Sequence, residues 1–156
     1  MEPPHIFYRG CNGEIFEVFW DEQSNTYRFN QWNYPGFTEA PPAADDSDPV
    51  IVEYGTALYV FYRGERGEIC DIFWDKQSNA FGFYQLNCGG LTPAPPAVDD
   101  PIIKEYLPGL HIFYRGYYRI IIEVFLDKHS NTFGSNQWNS GPAPPASGNP
   151  TSSQFK

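Results

Sequence analysis

The chain repeats one sequence pattern three times, at intervals of about 50 residues. Each copy has an apolar segment ending in Phe-Tyr-Arg-Gly, a second apolar segment with an acid near its middle, and a Ser-Asn turn. The Phe-Tyr-Arg-Gly segments occupy residues 7–10, 61–64 and 113–116. Repeats of this length with short, alternating apolar stretches are typical of propeller-type or trefoil-type proteins rather than helical solenoids. Because repeated units usually repeat a binding site, the pattern constrains function as well as fold.

The middle repeat predicts four antiparallel strands, at residues 48–54, 58–62, 68–75 and 80–87. These segments are rich in β-branched and aromatic residues, and glycines or a Ser-Asn pair supply the turns between them. Alternation along the third strand places one set of side chains on each face. The two predicted sets are Ile69, Asp71 and Phe73, and Cys70, Ile72 and Trp74.

The predicted fold is all-β: three β-propeller blades of four antiparallel strands, joined by Pro-Pro-Ala crossovers, in a single domain over residues 1–156. The repeats span approximately 1–47, 48–97 and 98–146. The first repeat lacks its first strand, and the C-terminal segment 147–156 is predicted to supply it; the alternative is a frayed tail. Since propellers have about four to eight blades, we expect a homodimer that closes six. A β-trefoil is the alternative fold.

Composition excludes several classes of function. A net charge of −9 and a pI near 4.6 argue against a nucleic-acid partner. No apolar run approaches the roughly 20 residues that span a bilayer, so membrane insertion is not expected. The N-terminal residues do not resemble a classical signal peptide, and the three cysteines, which form no metal motif, are interpreted as free thiols. We expect a cytoplasmic protein, or one released without such a peptide; a mature secreted form is the alternative.

The repeats resemble the six-bladed fucose-binding propeller lectins of fungi and bacteria. The resemblance rests on the Pro-Pro-Ala crossover, the Asp-Pro strand start, His-Ile-Phe-Tyr-Arg-Gly and Phe-Trp-Asp, and it covers nearly the whole chain. It implies sugar pockets between neighbouring blades, each with an Arg, a Glu and aromatic side chains from the next blade. No cofactor or metal is implied.

Carried over by position, the resemblance assigns three kinds of binding residue. The acid falls on Glu17, Asp71 and Glu123. The Arg position falls on His5, Tyr59 and His111, a departure that puts fucose specificity in question. The aromatic positions fall on Trp20, Tyr27, Trp74 and Phe81, with Leu126 and Phe133 in the third repeat.

The residues themselves support the same chemistry, because a sugar needs hydrogen-bonding groups for its hydroxyls and a flat apolar surface for its C–H face. An acid within an apolar strand is costly to bury without a partner or a ligand. We therefore predict a multivalent, non-enzymatic protein that binds glycans or glycoconjugates. A protein-interaction propeller without sugar binding is the alternative, and a glycosidase is disfavoured because catalytic acids do not normally recur around a ring.

Two further repeated features have structural interpretations. The arginines that end the Phe-Tyr-Arg motifs are predicted to close hairpins and pair with nearby carboxylates. Trp32 and Trp138 are predicted to pack, and the acid pairs 45–46 and 99–100 are predicted to be solvated loop residues.

Overall fold

The computed structural model describes residues 3–106, 109–127, 130–139 and 144–151. The protein is all-β over these residues, which confirms the predicted class. Its strands form three antiparallel sheets, and each sheet is built from a single repeat.

The strands of each sheet follow one another in chain order. Sheet I contains β1 (Ile6–Arg9), β2 (Ile15–Asp21) and β3 (Thr26–Gln31). Sheet II contains β4 (Val50–Tyr54), β5 (Ala57–Arg63), β6 (Ile69–Asp75) and β7 (Ala80–Gln85). Sheet III contains β8 (Ile102–Tyr106), β9 (Gly109–Arg115), β10 (Ile121–Asp127) and β11 (Thr132–Gln137). The four strands predicted for the middle repeat are confirmed, with ends shifted by one or two residues.

The Ser-Asn turns have the same backbone geometry in all three repeats. Asn25, Asn79 and Asn131 adopt left-handed conformations with φ between 52° and 53°. Asparagine tolerates this region better than most residues because its short polar side chain can bond locally. The turns therefore fix one register for the outer hairpin of each sheet.

The three sheets pack face to face, with sheet II in the middle. One face of sheet II contributes Val60, Tyr62 and Ile72 to a core shared with Ile15 and Trp32 of sheet I. The opposite face packs on sheet III in a second core, whose central members are Phe61, Ile69, Leu86, Leu110, Ile112 and Val124. The predicted alternation along β6 is confirmed, because Ile69 and Phe73 belong to the second core and Cys70, Ile72 and Trp74 to the first.

The Pro-Pro-Ala crossovers are held against the next sheet by hydrogen bonds. Ala43 bridges to Gly64, and Ala97 bridges to Gly116. The Tyr62 hydroxyl donates to the Pro41 carbonyl at 2.6 Å, and the equivalent Tyr114 hydroxyl donates to an equivalent prolyl carbonyl at 2.7 Å. Each sheet is thus joined to its neighbour by backbone as well as by apolar packing.

Two of the three repeated arginines form the predicted ion pairs, with acids of the crossovers. Arg63 pairs with Asp46, and Arg115 pairs with Asp99 at 2.5 Å. The Asp100 carboxylate accepts the backbone N–H of Asp48 at 2.9 Å. The prediction of solvated loop acids agrees with Asp46, whose side chain is 79% exposed although it pairs with Arg63. It is wrong for Asp99 and Asp100, which are 29% and 26% exposed and hold the crossover against its neighbours.

Among the described strands, β1 pairs with β2 alone, so that edge of sheet I is open within this part of the chain. Residues 144–151 of the tail contain no strand and so do not complete sheet I, while the rest of the predicted strand lies outside the described residues. The described strands do not close into a barrel that joins the repeats, so the trefoil alternative does not fit.

Two glycines offer a matched test of the crossover contact. Gly67 (φ +82°) has so little space that an added Cβ would lie 2.6 Å from the Ala97 carbonyl oxygen, whereas Gly55 (φ +62°) has nothing within 4 Å. Both Gly→Ala variants incur the left-handed backbone cost of about 1–2 kcal/mol. We expect Gly67→Ala to lose at least about 2 kcal/mol more than Gly55→Ala, because it also displaces the crossover. Urea unfolding of both variants measures this, and equal losses would contradict the contact.

Candidate functional site

The acid of each repeat occupies the same place in its sheet. Glu17, Asp71 and Glu123 lie near the middle of β2, β6 and β10. In the register, each is opposite Phe7, Phe61 or Phe113 on the preceding strand. All three are buried, with exposed fractions of 6%, 0% and 3%. What surrounds the acid nevertheless differs between the repeats.

In sheet I the Glu17 carboxylate accepts three hydrogen bonds from its own repeat. The donors are His5 Nδ1 at 2.5 Å, Asn30 Nδ2 at 3.0 Å and Trp32 Nε1 at 3.0 Å. A carboxylate only accepts, so the proton of the first bond is on Nδ1 and the imidazole Nε2 remains for another partner. The network fixes the ring of His5 at the rim of the sheet, where its side chain is 45% exposed.

Sheet III repeats this network and adds a fourth donor. The Glu123 carboxylate accepts from His111 Nδ1 at 2.5 Å, Asn136 Nδ2 at 3.1 Å, Trp138 Nε1 at 2.8 Å and the Tyr106 hydroxyl at 3.2 Å. Burial acts to raise the pKa of Glu123, but hydrogen bonds from His111, Asn136 and Trp138 outweigh it and lower the pKa below its usual value. Glu123 is therefore an ionised, fully engaged hydrogen-bond acceptor.

Sheet II lacks the His, Asn and Trp donors of this network. Tyr59, Tyr84 and Leu86 stand where sheet I has His5, Asn30 and Trp32. Both carboxyl oxygens of Asp71 are buried and have no hydrogen-bond partner among the described residues. Burial raises the pKa of Asp71 well above its usual value. The middle site is thus chemically distinct from the other two.

An open groove of about 640 Å³ lies between sheets I and II. His5, Phe7 and Glu17 line one wall, while Trp74 and Lys76 stand on the opposite wall. Lys76 also pairs with Glu53, another lining residue, at 3.7 Å. The groove therefore brings a predicted imidazole and carboxylate from one repeat together with a predicted indole from the next.

A smaller cavity of about 150 Å³ lies between sheets II and III. Tyr59, Asp71, Phe73 and Tyr84 line it from sheet II. Sheet III contributes Leu126, Asp127, Asn131 and Phe133. The predicted middle-repeat residues Tyr59 and Asp71 therefore meet the third-repeat positions Leu126 and Phe133.

Three of the predicted aromatic residues line neither the groove nor the cavity, although Phe81 stacks on the groove residue Trp74 at 6.2 Å. Trp20 and Tyr27 pack edge to face, at 4.9 Å between ring centroids, and line neither the groove nor the cavity. Phe81 packs between the sheets against Trp32 at 5.3 Å and Phe37 at 4.4 Å. No contact within the described chain places these three rings with a predicted His or acid.

Sequence reasoning missed the role of the outer strand. Trp32 was predicted to pack, and it does, but its indole also donates to Glu17. Asn30 and Asn136 were not singled out, although each holds the acid of its repeat. A signal was present in the sequence: His, Glu, Asn and Trp occur together in repeats one and three and are all replaced in repeat two. Residues that change together between repeats are expected to touch.

Other kinds of site find no support in the described ranges. They contain no group of three or more His, Cys, Asp or Glu side chains placed to hold a metal ion. Within the same ranges, no helix has the length and apolar character to cross a bilayer. Cys11, Cys70 and Cys88 are free thiols.

Comparison with known protein families and with curated proteins finds no match to this sequence.

The equivalent acids Glu17 and Asp71 give a matched stability test. Glu17→Leu leaves three donors without an acceptor, so we expect a loss of about 3 kcal/mol in the free energy of unfolding. Asp71→Leu removes a buried carboxyl group that has no partner among the described residues, so we expect the free energy of unfolding to rise by about 1 kcal/mol. Urea denaturation at neutral pH measures both values. Similar losses in the two variants would show that the networks do not differ as described.

Proposed function

We propose that the protein is a multivalent, non-catalytic carbohydrate-binding protein whose sugar sites lie between neighbouring sheets. The observation that carries this proposal is the groove between sheets I and II, where His5 and Glu17 face Trp74. Flat aromatic surface beside fixed polar groups matches the two sides of a pyranose ring.

The groove offers several groups to sugar hydroxyls. His5 presents its Nε2 atom, because Nδ1 is bonded to Glu17. Lys76 supplies an ammonium donor, and Glu53 supplies acceptor oxygens that are largely exposed. Glu17 acts mainly by holding His5 in place, since it already accepts three bonds. Such a site is open and wet, so each one binds weakly and repetition supplies the avidity.

We further infer that two chains close into a six-bladed propeller, with each sheet as a blade. Support comes from the outward face of sheet I. Ile6 and Tyr8 are 58% and 45% exposed there, whereas the equivalent Val60 and Tyr62 of sheet II are fully buried against sheet I. The outward face of sheet I therefore carries the same kinds of side chain as the face of sheet II that sheet I covers.

Sheet III carries the complementary surface. Phe113 and Trp138 pack edge to face at 5.8 Å, as Phe7 and Trp32 do at 5.1 Å in sheet I. Sheet II covers Trp32, which is 1% exposed, while Trp138 is 59% exposed. A second chain that places its sheet I on this surface would cover Trp138 in the same way.

Arg9 differs from the other two repeated arginines within the described residues. Arg63 and Arg115 each pair with an aspartate from the crossover that precedes their repeat. Arg9 makes no ion pair among the described residues, and its Nη1 donates to the Gly10 carbonyl at 3.0 Å. Closure by a second chain would place Trp20 and Tyr27 opposite His111 and Glu123, which creates a further sugar site.

Replacing Trp74 with leucine tests the sugar site, because the third repeat already carries Leu126 at this position. The variant should keep its fold but bind glycans at least about tenfold more weakly, since packing of the sugar C–H face on the indole is lost. A glycan array with free L-fucose as competitor, followed by titration of the best ligand, measures this. Phe83→Leu is the control, because Phe83 does not line the groove. Absence of glycan binding by the unaltered protein, or equal binding by both variants, would contradict the proposal.

Introducing a charge at Ile6 tests the six-bladed dimer. Ile6→Lys places an ammonium on a face that is exposed in one chain but buried in the proposed interface. We expect the unaltered protein to sediment as a dimer and Ile6→Lys as a folded monomer. Tyr117→Lys, at a position 56% exposed, is the control and should remain dimeric. A monomeric unaltered protein would rule out closure by two chains.

A further inference from the structure

The cavity between sheets II and III contains an acid that no described residue compensates. Asp71 is fully buried, and neither of its carboxyl oxygens has a hydrogen-bond partner among the described residues. Among those residues, no Lys, Arg or His side chain lines the cavity. A buried carboxyl group without a partner is costly, which makes it a candidate for a ligand contact.

The walls of the cavity are aromatic. Tyr59, Phe73, Tyr84 and Phe133 line it, drawn from both sheets. Phe73 stacks on Tyr84 at 5.5 Å, and the Tyr84 ring lies 6.4 Å from that of Phe133. Ring faces attract cations within about 6 Å of their centroids, most strongly when water is excluded. Aromatic walls around an acid are suited to a positive charge that carries apolar groups.

The cavity has the volume of a small organic molecule. It measures about 150 Å³. An engineered cavity of roughly 150 Å³ in another protein holds benzene, and tetramethylammonium is close to benzene in size. A trimethylammonium group therefore matches the cavity in volume.

Other ligands suit this cavity less well. It lacks the His, Glu and Trp set of the groove, because Tyr59, Asp71 and Leu126 occupy the corresponding positions. A hard metal cation takes about six or more oxygen ligands, and no group of three acidic or metal-binding side chains occurs in the described part of the chain. We propose that this cavity binds a small organic cation, a quaternary or methylated ammonium group, with Asp71 as its counter-ion and the four rings as its cage. The proposal does not depend on sugar binding by the groove.

Binding is coupled to a proton. Burial raises the pKa of Asp71 well above its usual value, so the carboxyl group of the empty cavity tends to hold its proton. A bound cation favours the carboxylate, and the proton is released to solvent. Affinity should therefore rise with pH until the carboxyl group of the free protein is itself ionised. Among the described residues, the other titratable groups that line the cavity are Tyr59 and Tyr84 of sheet II and Asp127 of sheet III.

The test compares choline with its uncharged carbon analogue, 3,3-dimethylbutan-1-ol. The two molecules have nearly the same shape and differ in charge. Each ligand is titrated into the full chain, and binding is measured by calorimetry and by the NMR shifts of the cavity residues. The affinity for choline should be at least tenfold higher than that for the alcohol. Equal affinities would overturn the proposal in favour of a merely apolar cavity. No binding of choline would overturn it as well.

Variants locate the site. Asp71→Asn should abolish the preference for choline over the alcohol, and unchanged preference would overturn the role of Asp71. Phe133 lies at the edge of its sheet and is 39% exposed, so Phe133→Leu tests the aromatic cage without disturbing the core. This variant should bind choline at least about threefold more weakly. Phe83→Leu, a ring on the same strand as Tyr84 that does not line the cavity, is the matched control and should bind choline normally. Loss of choline binding in the control would place the site elsewhere.

Discussion

The structure depends on one constraint: its sheets are apolar on both faces. Strand β5 of sheet II is buried along its whole length and β6 over residues 69–72, because sheet I covers one face and sheet III the other. A sheet of this kind cannot be stable alone in water, so each repeat requires neighbours on both sides. Sheets I and III satisfy this requirement on one side only within the chain. The exposed aromatic residues at both ends of the stack are the physical reason to propose a second chain.

Within that stack, the surroundings of the one buried acid at the centre of each sheet differ from repeat to repeat. Two of the acids are compensated by His, Asn and Trp of their own repeat and so order the surface around them. The third, Asp71, has an aromatic cavity in place of those donors. A buried acid without a partner destabilises the fold. The middle repeat, which lacks the hydrogen-bond network, is therefore a place where a bound ligand can offset that destabilisation. Repeats with one backbone can in this way carry different sites.

Much of the fold could be predicted from the sequence. Strict alternation along residues 69–75 determined which side chains point to each neighbouring sheet, because the pleat leaves a strand only two faces. Glu17 and Trp74 were predicted to belong to one kind of site, and they line one groove. Asp99 and Asp100 were misjudged as solvated, since a loop sequence does not reveal that an arginine distant in the chain will lie beside it. The contacts of Phe81 with Trp32 and Trp74 could not be predicted either, because ring contacts between sheets are set by how the two sheets approach.

The sequence by itself determined the all-β class, the three repeats, the positions of the turns and the buried acid at the centre of each repeat. These follow from local rules: side-chain alternation, turn-forming residues and the period of the pattern. Only the tertiary structure decided which acids have partners, because Glu17 and Asp71 occupy equivalent strand positions and differ through residues on other strands. It also decided the size of the space between neighbouring sheets: a groove of about 640 Å³ between sheets I and II, and a cavity of about 150 Å³ between sheets II and III. Hydrogen-bond partnership and enclosed volume depend on distances between strands and sheets, and those distances are set by packing.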